Sequence, residues 1–191
     1  MRKKLITAII ALTLALSCLV GVTVAWLYTD TNEVVNTFSP SNINITLEET
    51  DSDDEDTDAT KNEYQMLPGT TIDKDPKVTV VKGSADCWLY IEVIKNSLVD
   101  QYLTVTMASG WTQIAGTNIW YYTGTITQGT KISVLANDQV AVRNDVTKEM
   151  MNLLEAEDAT LPQINFKAYA VQKEAGTDAV AAWNATYGAK N

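Results

Sequence analysis

Period-two alternation runs through most of this chain, and it decides the fold class. In "CWLYIEVI", Cys87, Leu89, Ile91 and Val93 fall on one side of an extended backbone, and Trp88, Tyr90, Glu92 and Ile94 on the other. Successive side chains of a strand point to opposite faces. Apolar residues on both sides predict a strand buried on both faces. Ile43, Ile45 and Leu47 alternate with Asn42, Asn44 and Thr46, and Leu103, Val105 and Met107 with Thr104 and Thr106. Val78 and Val80 follow Asp75-Pro76, and Ile164, Phe166, Ala168 and Ala170 alternate in "INFKAYAVQ". "IWYYTGTIT" is rich in aromatic and β-branched residues, which suit a strand. "KISVLANDQVAVR" reads as strand, break, strand, with the break at Asn137-Asp138. Pro68-Gly69, Lys82-Gly83 and Gln128-Gly129 supply turns. About eight strands with such punctuation predict an all-β fold, a two-sheet antiparallel sandwich with one or two short helices. Jelly-roll topology is the first choice, and the pattern alone does not separate it from an immunoglobulin-like sandwich.

Two segments have helical period instead. "NDVTKEMMNLLEAE" puts Met150, Leu153 and Leu154 on one face, with Asn144 or Asp145 as the cap. "TDAVAAWNATYG" offers Thr177 as N-cap, Val180, Trp183 and Tyr187 on one face, and Gly188 as the stop. Both read as covers for an edge or end of the sandwich. Leu98 to Tyr102 leave a helical turn open.

The first 25 residues do not belong to this pattern. Arg2, Lys3 and Lys4 precede a stretch, Leu5 to Val24, that carries no charge, and Thr23-Val24-Ala25 sets small residues where a signal peptidase cuts. The reading is a cleaved signal peptide over residues 1–25, with cleavage between Ala25 and Trp26. An uncleaved membrane anchor is the alternative, weakened by Thr7, Thr13, Ser17 and Thr23 within the run and by the absence of a following basic cluster. Lipidation of Cys18 is a third reading, poorly served by Ala15-Leu16-Ser17.

Cleavage removes three of the 14 basic residues and none of the 24 acidic ones, so the remaining 26–191 domain carries a net charge of −13. Such a surface repels nucleic acid and anionic membranes. Only Cys87 would then remain, so no internal disulfide forms and the domain rests on its hydrophobic core. Within its apolar run Cys87 reads as a buried structural thiol. The chain has no histidine. This excludes Ser-His-Asp and Cys-His catalysis and removes the usual zinc ligand. Carboxylates alone still permit glycosidase-type chemistry, but no pair stands out. No cofactor is called for.

Residues 48–63 are nearly devoid of apolar side chains and crowded with like charges, as in a solvated loop between strands. Asp54, Asp56 and Asp58 alternate like the opening of a calcium loop. Ala59 then stands where the turn glycine belongs and Gln65 where the bidentate Glu belongs, so they are weak calcium candidates. "NIT" at Asn44 and "NAT" at Asn184 match the glycosylation sequon, which carries little weight in bacterial export.

Several segments together resemble the TasA/camelysin family, more narrowly its clostridial-type secreted members. They are "AWLYTDTNEVVNTFSPSNINITLEE" after the leader, "MLPGTTIDKDPKVTV", "CWLYIEV", and "FKAYAVQKEAGTDAVAAWNATYG". The acidic run is not covered. The resemblance implies export to the extracellular matrix or cell surface of a Gram-positive bacterium, a SipW-type signal peptidase as processing partner, and a jelly-roll subunit that polymerises with itself into biofilm fibres. It further implies that the new N-terminal segment, with Trp26, Leu27, Tyr28, Val34, Val35 and Phe38, is donated as a strand to the next subunit. The other reading of that segment is a first strand of its own sandwich. The family also implies a camelysin-like metallopeptidase label, which a chain without histidine or HExxH does not support. A monomeric adhesin or carbohydrate binder is the remaining class. Trp88, Trp111, Trp120, Tyr121 and Tyr122 would stack on sugars, unless they serve the core as strand aromatics commonly do.

Overall fold

The computed structural model describes residues 42–50 and 64–188, all within the unit 40–191. The leader, the Ala25–Trp26 junction, the segment holding Leu27, Tyr28, Val34, Val35 and Phe38, and Asp54, Asp56 and Asp58 lie outside the described residues. The described chain is mostly β. Ten strands are present: β1 (Ile45–Glu48), β2 (Thr71–Asp73), β3 (Lys77–Val80), β4 (Cys87–Lys95), β5 (Leu103–Thr104), β6 (Trp111–Gln113), β7 (Ile119–Tyr122), β8 (Lys131–Ser133), β9 (Gln139–Val142) and β10 (Ile164–Gln172). Three short helices accompany them: α1 (Val99–Tyr102), α2 (Lys148–Leu154) and α3 (Ala179–Thr186). The helices number one more than expected, because Leu98 to Tyr102 closes into a turn of helix.

All pairings are antiparallel, in three sheets ordered β1-β3-β8, β10-β4-β7-β6 and β2-β9-β5. The first and third sheets share two continuous stretches of backbone. Between the β2–β9 and β3–β8 pairings, Lys74 N–H donates to Asp138 O at 2.9 Å and Val134 N–H to Pro76 O at 3.0 Å. One residue separates Lys74 from Pro76, while three separate Val134 from Asp138. The surplus is taken up by a 3₁₀ turn at Ala136–Asp138, with Asn137 at φ 57° and Asp138 at φ 55°. Asn and Asp tolerate this left-handed region better than other non-glycine residues. The break read at Asn137-Asp138 is therefore where one sheet becomes two.

Strand β4 organises the core. Its Cys87, Leu89, Ile91 and Val93 join Val78 and Val80 of β3, Trp111 and Val134 in one buried cluster. The opposite face carries Trp88 and Tyr90, which pack with Ile114, Val171, Ala179, Ala182 and Trp183, so α3 lies across the outside of the four-stranded sheet. Burial on both faces holds from Cys87 to Val93 and ends at Ile94, which is exposed. Glu92, the polar member of the outer face, accepts from Tyr169 Oη at 2.7 Å and Asn118 Nδ2 at 3.1 Å. A third cluster, including Val99, Tyr102, Leu135, Val140 and Val142, fills the space behind β2-β9-β5.

Both expected helix caps shift, by two or three residues at α2 and by one at α3. Thr147, in extended backbone, accepts from Met150 N–H at 3.3 Å and caps α2. Asp145 does not cap it, because its carboxylate is held by the Arg143 guanidinium. Asp178, not Thr177, caps α3 by accepting from Ala181 N–H at 2.8 Å. An ionised carboxylate at this position also faces the positive end of the helix dipole.

Candidate functional site

Two features of the described residues bear on binding another molecule. The first is a cleft of ≈ 790 Å³ at the start of β4, within the range of small-ligand sites, about 300–1,000 Å³. Its floor is Asp86, Cys87 and Trp88, one wall is the loop after β7, and the other is the first turn of α3 with Lys173. Local chemistry explains each wall. Gln128 accepts from Gly83 N–H at 2.9 Å and donates to Ser84 O at 2.7 Å, pinning the loop to the β3–β4 turn. β10 ends in a 3₁₀ turn, Lys173–Ala175, and Lys173 N–H donates to Asp86 O at 3.1 Å. Tyr90 Oη donates to Ala179 O at 2.7 Å, fastening the first turn of α3 to the sheet.

Among the aromatic residues singled out in the sequence, Trp88, Tyr121 and Tyr122 line this cleft. Trp111 does not. It is buried, donates from Nε1 to Ser133 O at 2.9 Å, and packs on Tyr122 with ring centroids 5.2 Å apart. Trp120 is half-buried against the inner core cluster. Trp88 Nε1 donates to Lys173 O at 3.3 Å, and the Lys173 ammonium lies 5.4 Å from the Trp88 ring centroid.

The charges here come from residues the sequence did not mark as functional: Asp86, Lys173 and Asp178. Burial pushes the Cys87 thiol up, the Asp86 charge adds to the rise, and Lys173 opposes it. The free thiol is thus held neutral and is a poor nucleophile. Burial also raises the Tyr90 phenol, with Asp178 adding to the effect. Among the described residues, no three His, Cys, Asp or Glu side chains converge to hold a metal ion, and no helix is long and apolar enough to cross a membrane.

The second feature is a sheet edge. Among the described residues, β10 pairs with β4 on one side and with no strand on the other. Phe166, Ala168 and Ala170 stand opposite Val93, Ile91 and Leu89 in the ladder. Those β4 partners are 6%, 0% and 0% exposed. Phe166, Ala168 and Ala170 are only half-buried, although they pack on the same cluster. The difference follows from position, since an edge strand lacks a neighbour to cover its outer flank. β1 flanks β10 and, among the described residues, itself pairs with β3 alone.

No protein-family model, curated protein or solved structure matches the chain.

Proposed function

We propose that this protein is an exported structural subunit of extracellular matrix fibres, in which residues 26–38 of one copy add as a strand to the open edge of the next. The observation that carries this reading is β10, nine residues long with one strand partner among the described residues and an incompletely buried apolar face. A strand laid beside it would satisfy its outward-facing backbone groups and cover Phe166, Ala168 and Ala170. Each ladder hydrogen bond contributes on the order of 1 kcal/mol net. Each large apolar side chain buried, such as Trp26 or Phe38, contributes about 1.5–3 kcal/mol. Several of each outweigh the cost of ordering a tail and immobilising a subunit.

The same reading takes the fold as a jelly roll behind a leader cut between Ala25 and Trp26. Strand order supports it. With β2 continued into β3 and β8 into β9, the path round the molecule is β10, β4, β7, β6, β5, β8–β9, β2–β3, β1. This is the cyclic order of a jelly roll wound from four antiparallel pairs. The resemblance to the TasA/camelysin family points the same way.

Electron microscopy of the secreted protein and of a form lacking residues 26–38 tests the proposal. Fibres from the first, soluble folded particles from the second, and capture of the second by a synthetic 26–38 peptide are expected. Unfolding of the shortened form without rescue by peptide would make the segment an ordinary first strand. Unchanged fibres would end the donation reading.

A further inference from the structure

The cleft at the start of β4 has no part in strand donation, and its chemistry is specific enough to name a ligand class. Trp88 and Tyr121, which share the outer face of the sheet with α3, offer it apolar ring surface, while Tyr122 lines it from the inner-core side. Its polar groups include carboxylates, hydroxyls and one ammonium. Among the described residues, nothing bonds the Asp86 carboxylate or the Tyr121 and Tyr122 hydroxyls. Asp178 uses one oxygen on Ala181 N–H and keeps the other. Among the described residues Lys173 is the one cation lining the cleft, and its ammonium sits over the Trp88 ring. Two carboxylates against one lysine leave a negative field, in a chain whose net charge is −10.

A sugar ring has an apolar face and a rim of hydroxyls, which matches aromatic walls with acceptors between them. The charge then selects among sugars. Uronates and sulfated sugars are repelled, and an ammonium group is drawn to Asp86 and Asp178. Lys173 shows that the Trp88 ring accommodates an ammonium ion, an attraction that strengthens when the ion is desolvated. We propose that the cleft between the start of β4, the loop after β7 and the first turn of α3 binds a glycan bearing free amino groups, that is, a hexosamine polymer.

Lys173 then acts as a built-in competitor. It is exposed and its stem is flexible, so a ligand amine displaces it at small cost, but its charge opposes that amine until it moves. Removing the charge of Lys173 therefore tightens binding, whereas removing those of Asp86 and Asp178 weakens it. Opposite responses at neighbouring residues distinguish a defined site from general attraction to an acidic surface.

The test is titration of the soluble full-length protein with glucosamine hexamer, N-acetylglucosamine hexamer and galacturonate hexamer, read by tryptophan fluorescence and calorimetry. Saturable binding is expected in the order glucosamine, N-acetylglucosamine, galacturonate, with the first weakening as salt rises. Asp86→Asn with Asp178→Asn should weaken glucosamine hexamer about tenfold or more, equivalent to roughly 1.4 kcal/mol, and should erase its preference over the acetylated form. The melting temperature should fall by no more than about 4 °C, since Asn caps a helix as well as Asp does, only the attraction of the carboxylate to the helix dipole is lost, and the Asp86 side chain makes no bond. Lys173→Gln should tighten glucosamine hexamer severalfold. Absence of saturable binding, galacturonate binding as tightly as glucosamine, or indifference to both sets of substitutions would overturn the proposal. If the double variant unfolds, the Lys173→Gln result decides alone.

Discussion

Replacing Trp183 by Ala should undock α3 and remove one wall of the cleft. Trp183 is 6% exposed. Its ring lies 5.0 Å from Tyr90, 5.3 Å from Tyr169 and 4.8 Å from Tyr187, centroid to centroid. Truncating a buried Trp costs about 3–5 kcal/mol. The indole packs on all three tyrosine rings at once, which argues for the upper part of that range. One limit acts against this. α3 packs on the outer face of the sheet and belongs to no ladder, so it can come away while the sheets stay folded, and the loss cannot exceed the free energy with which it docks. For a chain of this length each kcal/mol moves the melting temperature by about 2–4 °C, so a fall of roughly 6–20 °C is expected if docking is part of the cooperative unit. Thermal melts followed by near-ultraviolet circular dichroism measure both effects. Leu89→Ala, at a fully buried residue of β4, is the control that must lower the whole transition. A Trp183→Ala protein melting within about 2 °C of the parent, with its aromatic circular dichroism intact, would refute the account of α3 as a docked cover.

Other outcomes follow from single interactions. An added Cβ at Gly176 would overlap the backbone nitrogen of Ala182, so Gly176→Ala should cost about 1–3 kcal/mol, as overpacking does, visible as a lower melting temperature and a weakened hexosamine response. Burial alone would raise the Asp75 carboxyl, but the Thr50 backbone N–H, the Lys77 ammonium and the Thr50 hydroxyl outweigh it and leave Asp75 below its ordinary value. Its stabilisation is therefore present above the unfolded-state value, about pH 4, and is lost as pH falls through the lower folded value. Asp75→Asn should lower stability at neutral pH and flatten the acid limb in denaturation followed by fluorescence. In a Cys18→Ser background, Cys87 should resist a thiol reagent until the protein is unfolded, because it is 3% exposed; rapid labelling of the native protein would contradict its place in the core. Thr147→Ala should remove the α2 cap for about 1 kcal/mol, a shift of a few degrees in a thermal melt.

The sequence was most legible where one local rule governs. The two-faced apolar run of β4, the Asn137-Asp138 break and the turns at Lys82-Gly83 and Gln128-Gly129 stand where the pattern put them. Each depends on side-chain period or on φ preference, and both are written in a few adjacent residues. The short strands β2 and β6 carry no such period; they exist because β9 and β7 offer them ladders. The missed caps have a similar cause. Asp145 is a good cap by type, but Arg143 takes its carboxylate, a competition that composition does not reveal.

The cleft was the least legible part, for the same physical reason. Trp88 was visible as an aromatic in a strand, but whether such a ring is core or surface depends on what covers it. What covers it is Lys173 and α3, 85 or more residues further along. Strand β10 brings these together and links the two proposed sites. Its ladder with β4 fixes Gln172 opposite Cys87, so the turn that follows delivers Lys173 onto Trp88. Among the described residues, the far side of β10 remains the open edge. A strand added there would use the backbone of residues 164–172, whereas the cleft uses side chains at Asp86 and Trp88 and beyond Gln172. The two sites share a scaffold and no binding atoms. A subunit locked into a fibre would keep its cleft chemistry, and a fibre would present one such cleft for every copy along its length. Loss of hexosamine binding on polymerisation would show that the added strand extends past Gln172 and covers Trp88.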